Sequence, residues 1–153
     1  MLEQLLPEQE PVARLIGLAR RRLRQAVGRR VARYRLSPQQ FWVVVFLDAE
    51  EGPPLSALCE RMRADPPTAS RIVSALVRRG LVRMRPDPDD RRRTRLHLTT
   101  RGKALARELE PLAVEFRGVV ERDLDRDERV ELRRLLHKVI ASLDRYHAEG
   151  DPS

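Results

Sequence analysis

The sequence predicts a mainly α-helical fold with one small β-hairpin, and three observations carry that prediction. Apolar residues recur at three- and four-residue spacing over most of the chain, the mark of helices with one buried face. Between Leu81 and Leu98 that period gives way to alternation around a Pro- and Asp-rich stretch, the mark of two strands and a turn. Helix start signals at Ser37-Pro38, Asp65-Pro66, Thr99 and Asp125 divide the helical sequence into separate segments. At 153 residues the chain suits one domain and is too short for two independent cores joined by a linker.

Residues 8–34 predict a long amphipathic helix, with Val12, Leu15, Ile16, Ala19, Leu23, Ala26, Val27 and Val31 on one face and arginines between them. Ser37-Pro38-Gln39-Gln40 sets a capping serine, a proline at the first helical position and a glutamine three residues after the cap. A helix is expected from there to about Glu50, where Gly52-Pro53-Pro54 stops it. Its run from Phe41 to Leu47 is apolar on nearly all sides, so this is the expected buried central helix. Ser56 is expected to cap a short helix reaching about Arg63, with Leu58 and Met62 inward.

Asp65 caps the next helix, which buries Ala69, Ile72, Val73, Leu76 and Val77 and ends at Gly80, where a left-handed residue is least costly. Two short helices so close together read as a helix-turn-helix, and the second leaves Thr68, Ser70, Arg71 and Ser74 on its outer side. Small hydroxyls and a long guanidinium fork suit approach to base edges in a major groove. Leu81–Arg85 and Arg93–Leu98 alternate as strands, with turn chemistry at 86–91. A lone hairpin is marginal in water, so it is expected to lean on the helices beside it.

Thr99 caps a helix carrying Leu105, Leu109, Leu112, Phe116, Val119, Val120 and Leu124, with a bend expected at Pro111. Asp125 with Glu128 starts the last helix, faced by Val130, Leu132, Leu135, Leu136, Val139, Ile140 and Leu143, and residues 149–153 read as a frayed tail. The first and the last two of these helices are each roughly 30 Å long or more at about 1.5 Å per residue, longer than the compact unit they flank. Their apolar faces need partners, supplied by a two-fold dimer or by mutual burial in a monomeric bundle.

Charge narrows the choice of partner. Lys plus Arg number 31 against 23 acids, a net charge of +8, which points to a polyanion: nucleic acid first, an acidic membrane surface second. The excess is local, since residues 53–101 carry twelve Arg against five acids while 102–153 carry ten bases against twelve acids. No apolar run approaches the ~18 residues that span a bilayer, and MLEQLLPEQE lacks the basic and apolar regions of a secretory signal. A soluble cytoplasmic protein is the expectation. Cys59, the single cysteine, has no partner for an internal disulfide and is expected to pack as a small hydrophobe. His97, His137 and His147 lack ligand-like companions, and no GxSxG, HExxH, phosphate-loop or CxxC pattern is present. The sequence therefore predicts no metal, no cofactor and no catalysis.

The order of elements resembles the MarR family of bacterial transcription regulators over nearly the whole chain. Asp87-Pro88-Asp89-Asp90-Arg91-Arg92 followed by Leu96-His97-Leu98-Thr99-Thr100-Arg101-Gly102 is similar to the family's wing signature, a DPxDRR tip and an LTxxG exit. Pro67-Thr68-Ala69-Ser70-Arg71 and Leu76-Val77-Arg78-Arg79-Gly80-Leu81-Val82 resemble its recognition helix and exit. The resemblance implies a single MarR-like chain over 1–153, with a winged helix-turn-helix lobe at 53–101 and dimerisation helices at 8–36 and 102–147. It implies a homodimer that binds double-stranded DNA at a pseudo-palindromic operator, two recognition helices lying about one duplex turn, roughly 34 Å, apart. It also implies action as a repressor and release by a small-molecule effector of unknown identity, held where the first, second and fifth helices meet.

By the same resemblance, Pro67, Thr68, Ser70 and Arg71 face the groove with Ser74, Arg92 enters the minor groove, and Asp90 pairs with Arg91 to shape the wing tip. A guanidinium suits a narrow minor groove, where negative potential is focused. Arg71 would either read guanine bidentately or hold a phosphate. Some relatives sense oxidants through a cysteine near the start of the first helix, and this chain has none there. A different reading of the same basic fold is an RNA-associated or protein-docking winged-helix module. Against RNA stand the few aromatics, six in all, expected mostly at buried positions where they offer no stacking platform.

Overall fold

The computed structural model describes residues 10–90 and 92–149. In chain order it comprises α1 (Val12–Val31), a 3-10 turn (Ala32–Tyr34), α2 (Pro38–Ala49), α3 (Leu55–Met62), α4 (Pro66–Arg78), β1 (Val82–Pro86), β2 (Thr94–Leu98), α5 (Thr100–Glu121) and α6 (Arg126–Glu149). Every expected element is present in the expected order: a mainly α fold with a hairpin wing and long helices at both ends. Residues 8–9 of the expected first helix and the tail at 150–153 lie outside the described residues. The chain divides into two compact units, Met1–Ala113 and Val114–Ser153, the boundary falling inside α5 just beyond Pro111. The helix continues through that proline.

In the N-terminal unit α2 touches α1, α4 and β2, and Phe41, Val43 and Val44 are fully buried. Its start is a reciprocal cap: the Gln40 N–H donates to Ser37 Oγ (3.1 Å) and the Ser37 N–H to Gln40 Oε1 (3.0 Å). The expectation of burial on nearly all sides fails at Trp42, which is 39% exposed. The aromatics as a group are less buried than expected. Phe41 and Phe116 are in the core, Tyr34 and Phe46 are half-buried, and Trp42 and Tyr146 are exposed.

The start of α3 is also a correction. The helix begins at Leu55 after Pro54, without a side-chain cap, and Ser56 is an exposed second residue. The cause is distant in sequence: extended Pro53-Pro54 pairs with the wing, the Leu96 N–H donating to the Pro53 carbonyl (2.9 Å) and Pro54 bridging to Arg95. The chain turns helical as soon as it leaves that pairing. Leu58 takes the inward position, which leaves neighbouring Cys59 half-buried rather than in the core.

Asp65 caps α4 as expected, and Ala69, Ile72, Val73 and Leu76 are buried while Val77 is half-buried. Gly80 ends the helix at φ +66°, with its N–H on the Val77 carbonyl (2.8 Å) and that of Leu81 on the Leu76 carbonyl (3.0 Å). β1 and β2 pair antiparallel with Arg83 opposite His97 and Arg85 opposite Arg95, so these four share one face while Val82, Leu96 and Leu98 are buried on the other. Thr99 joins wing to α5: its hydroxyl donates to the Gly80 carbonyl (2.6 Å) and accepts from the Gly102 N–H (3.0 Å). Gly102 is required there, because a Cβ would collide with the Leu81 carbonyl oxygen.

In the C-terminal unit the expected cap of α6 is present, the Glu128 N–H donating to Asp125 Oδ1 (2.9 Å) and the Asp125 N–H to Glu128 Oε2 (2.8 Å). Among its described side chains Phe116 alone is buried, while Val119, Val130, Leu135, Ile140 and Leu143 are exposed. None of the helices among the described residues is long and apolar enough to cross a membrane.

Candidate nucleic-acid interface

The inward stripe of α4 dictates what its other side presents. With Ala69, Ile72, Val73 and Leu76 buried, Pro67, Ser70 and Arg71 are exposed and Thr68 and Ser74 half-buried. At about 100° per residue, Pro67, Arg71, Ser74 and Arg78 fall on one line along the helix. Arg78, also exposed, was not among the expected site residues; its position seven residues after Arg71 is the signal that reveals it. Arg71 makes no hydrogen bond or salt bridge among the described residues, so its donors are free for a ligand. Thr68 is differently employed: its N–H donates to Asp65 Oδ1 (2.9 Å) and its hydroxyl to Oδ2 (2.8 Å). These two bonds, the backbone one foremost, hold the Asp65 carboxyl below the usual carboxylate range against some desolvation, with a smaller contribution from Arg71. Thr68 thus fixes the helix start and offers a ligand only an acceptor lone pair.

The wing tip is built around Asp87, the buried charged residue of the described core at 5% exposure. Oδ1 accepts from the N–H groups of Asp89 (2.9 Å) and Asp90 (3.3 Å), and Oδ2 from Arg95 Nε (2.6 Å). Arg95 Nη1 continues to the Gly52 carbonyl (3.2 Å), and the Asp87 N–H closes the loop onto the Arg93 carbonyl (2.9 Å). The carboxyl is held below its usual range, first by the Asp89 N–H and further by Arg95 and Asp90, with burial opposing. Asp87 lies in the wing motif but outside the expected site residues; the Asp-Pro-Asp-Asp run, in which an Asp side chain accepts from backbone N–H groups just ahead, is the available signal.

Asp90 sits one layer further out, its Oδ1 accepting from the Arg92 N–H (3.0 Å) and its Oδ2 lying 3.5 Å from Arg93 Nε. Arg91, and with it the expected Asp90–Arg91 ion pair, lies outside the described residues. Arg92 is exposed at the tip, its main chain held by Asp90. Behind the tip, the shared face of Arg83, Arg85 and Arg95 surrounds His97, whose ring lies against Gly52 so closely that a Cβ there would overlap it. Burial first, then these three arginines, lower the pKa of His97 below 6.5, while Glu51 opposes them.

Among the described residues, no group of three His, Cys, Asp or Glu is placed to hold a metal ion. A cleft of about 470 Å³ opens between α2 and α3, lined by Phe46, Glu50, Pro53, Ala57, Glu60, Arg61 and Arg63. It mixes two acids with two bases, and none of these lining residues belongs to α4.

Taken together, a helix-turn-helix, an outward arginine on its second helix and a rigid arginine-tipped hairpin define a winged helix-turn-helix lobe. Residues 36–93 match the family model described as MarR family. Among curated proteins, none matches the chain in sequence. Solved structures share the fold. The DNA complex of MepR from S. aureus is 20% identical with a TM-score of 0.80, the match covering 87% of this chain and 98% of that one. A putative MarR family transcriptional regulator from Listeria monocytogenes, complexed with 26mer DNA, is 21% identical with a TM-score of 0.79, covering 94% and 98%. A MarR transcriptional regulator from Methanosarcina mazei Go1 is 25% identical with a TM-score of 0.71, covering 87% and 96%.

Proposed function

We propose that this protein is a DNA-binding transcription regulator rather than an enzyme, acting in the cytoplasm as a homodimer on a pseudo-palindromic operator. The observation that carries the reading is the division of α4: Ala69, Ile72, Val73 and Leu76 are apolar and buried, while Pro67 and Arg71 are exposed, with Ser74 half-buried on the same line, in a chain that also carries an arginine-tipped wing. Arg71 reads a base pair in the major groove, where a bidentate contact to guanine contributes about 1–3 kcal/mol of discrimination. Ser70 and Ser74 allow close approach, Arg92 enters the minor groove, and Asp90 orders the tip, on the family's pattern through a pair with Arg91. The MepR and Listeria structures, with this fold, were solved with DNA.

Dimerisation is supported by the apolar side chains left exposed on α1 and α6, among them Val12, Leu15, Leu135 and Leu143. On this reading the protein represses, and a small-molecule effector releases it by binding one spacing of the two recognition helices more tightly than the other.

The test is protection of an inverted repeat in the DNA upstream of the protein's own gene. Protection of two half-sites about one turn apart is expected, with log K falling against log salt at a slope near −7 if about eight phosphates are neutralised per dimer. No protection and a slope near zero would overturn the reading. In a competition between bound structured RNA and an unlabelled palindromic duplex, failure of the duplex to displace the RNA would favour the RNA-associated module instead.

A further inference from the structure

The groove-facing residues leave a second group of arginines unexplained. Arginine side chains tie the C-terminal end of α4 to two other segments. Arg79 donates from Nη1 to the Arg35 carbonyl (2.7 Å) and from Nη2 to the Tyr34 carbonyl (3.0 Å), and its own carbonyl accepts from Arg101 Nη1 (3.4 Å). Arg33, at the end of the first helical segment, donates to the Tyr34 hydroxyl (2.9 Å) with its guanidinium 4.8 Å from that ring's centre. Arg33, Arg35, Arg78, Arg79 and Arg101 thus lie on three segments that the bonds of Arg79 and Arg101 draw together, and none forms a salt bridge with an acid among the described residues. Exposed like charges held near one another without an acid raise the local concentration of anions, which makes this surface a place for an anionic ligand.

We propose that Arg33, Arg78 and Arg101 form a second contact surface for duplex DNA, binding backbone phosphates without reading sequence, at the end of α4 opposite Pro67. The proposal rests on the reading of α4 as the recognition helix. Two features select duplex backbone as the occupant. Arg78 lies eleven residues after Pro67 on the same line of the helix, so the cluster is continuous with the groove-facing surface. With 13 residues at about 1.5 Å each, α4 is roughly 20 Å long against a groove about 12 Å wide, which brings its last turn to the phosphates bordering the groove when Pro67 and Arg71 are inside. Arg79, fixed by two carbonyls, sets the spacing and does not itself bind.

The test compares the full-length protein with an Arg33→Gln/Arg78→Gln/Arg101→Gln variant, and with an Arg20→Gln/Arg21→Gln/Arg24→Gln variant that removes the same charge from the exposed side of α1. Affinity for the operator duplex is measured against salt concentration, with circular dichroism confirming the fold. If each of the three side chains holds one phosphate, the cluster variant loses about 2.7 from the magnitude of the log K against log salt slope per protomer, since each contact contributes about 0.9. Base preference stays unchanged, and the α1 variant keeps the wild-type slope. An unchanged slope in the cluster variant, or equal losses in both variants, overturns the proposal. Stabilisation by inorganic phosphate that the cluster variant loses, with its duplex slope intact, would make the cluster a small-anion site and overturn it as well. If the wild-type protein binds no duplex, the recognition-helix reading itself falls, an outcome distinct from these.

Discussion

Asp87 shows how one side chain sets the geometry of a whole loop. Two backbone N–H groups and one guanidinium converge on its carboxylate, so the tip that carries Arg92 is held from behind as well as by Asp90. Asp87→Ala is expected to leave the helices intact and weaken operator binding about as much as Arg92→Ala, both through A·T-rich flanks, whereas Arg71→Ala relaxes base preference; fluorescence anisotropy on operator variants separates the three. Titration gives a second check. Because the folded pKa of His97 lies below 6.5, the folded protein keeps it neutral while the unfolded chain takes up a proton as the pH falls past that value. Its contribution to stability is present above about pH 6.5 and declines below it. The thermal midpoint should therefore fall between pH 7 and 5, and His97→Gln should flatten that part of the curve. Asp65 and Asp87 act lower, their stabilisation present above their unfolded value of 3.8 and lost as the pH falls beneath it.

At the scale of elements, the joints are the informative places. The Ser37–Gln40 cap is local, and Ser37→Ala should cost about 1 kcal/mol in chemical denaturation. Gly102 is a long-range joint: Gly102→Ala forces α5 away from the Leu81 carbonyl and should cost about 1–3 kcal/mol, with the wing disturbed as a further consequence. Legibility follows the same division. The starts of α2, α4 and α6 were readable because Ser37, Asp65 and Asp125 bond groups three residues away. Ser56 misled because the start of α3 is set by pairing of Pro53 and Pro54 with residues some forty positions later. Trp42 misled because hydrophobicity states what a helix prefers to bury, not how many neighbours arrive to cover it. In the site, Ser70 and Arg71 were readable from periodicity and Arg78 was overlooked on the same line. The part played by Asp87 emerged only once Arg95 and Gly52 were brought beside it.

For the molecule as a whole, the apolar surface decides behaviour in solution. The chain forms two compact units, and the C-terminal one buries little of what α6 offers among the described residues. A dimer that covers this surface makes the thermal midpoint rise with protein concentration. Sedimentation at micromolar concentration should show two chains, and Leu135→Glu should yield single chains that retain helical circular dichroism yet lose operator affinity. A wild-type monomer at that concentration would remove the basis for paired half-sites. The stitching of β2 to Gly52 and Pro53 carries a consequence for protein engineering. The hairpin is no detachable appendage: a chimaera that borrows the wing of a relative must import the short proline segment behind the central helix with it, or the transplanted arginine tip will have nothing to brace against.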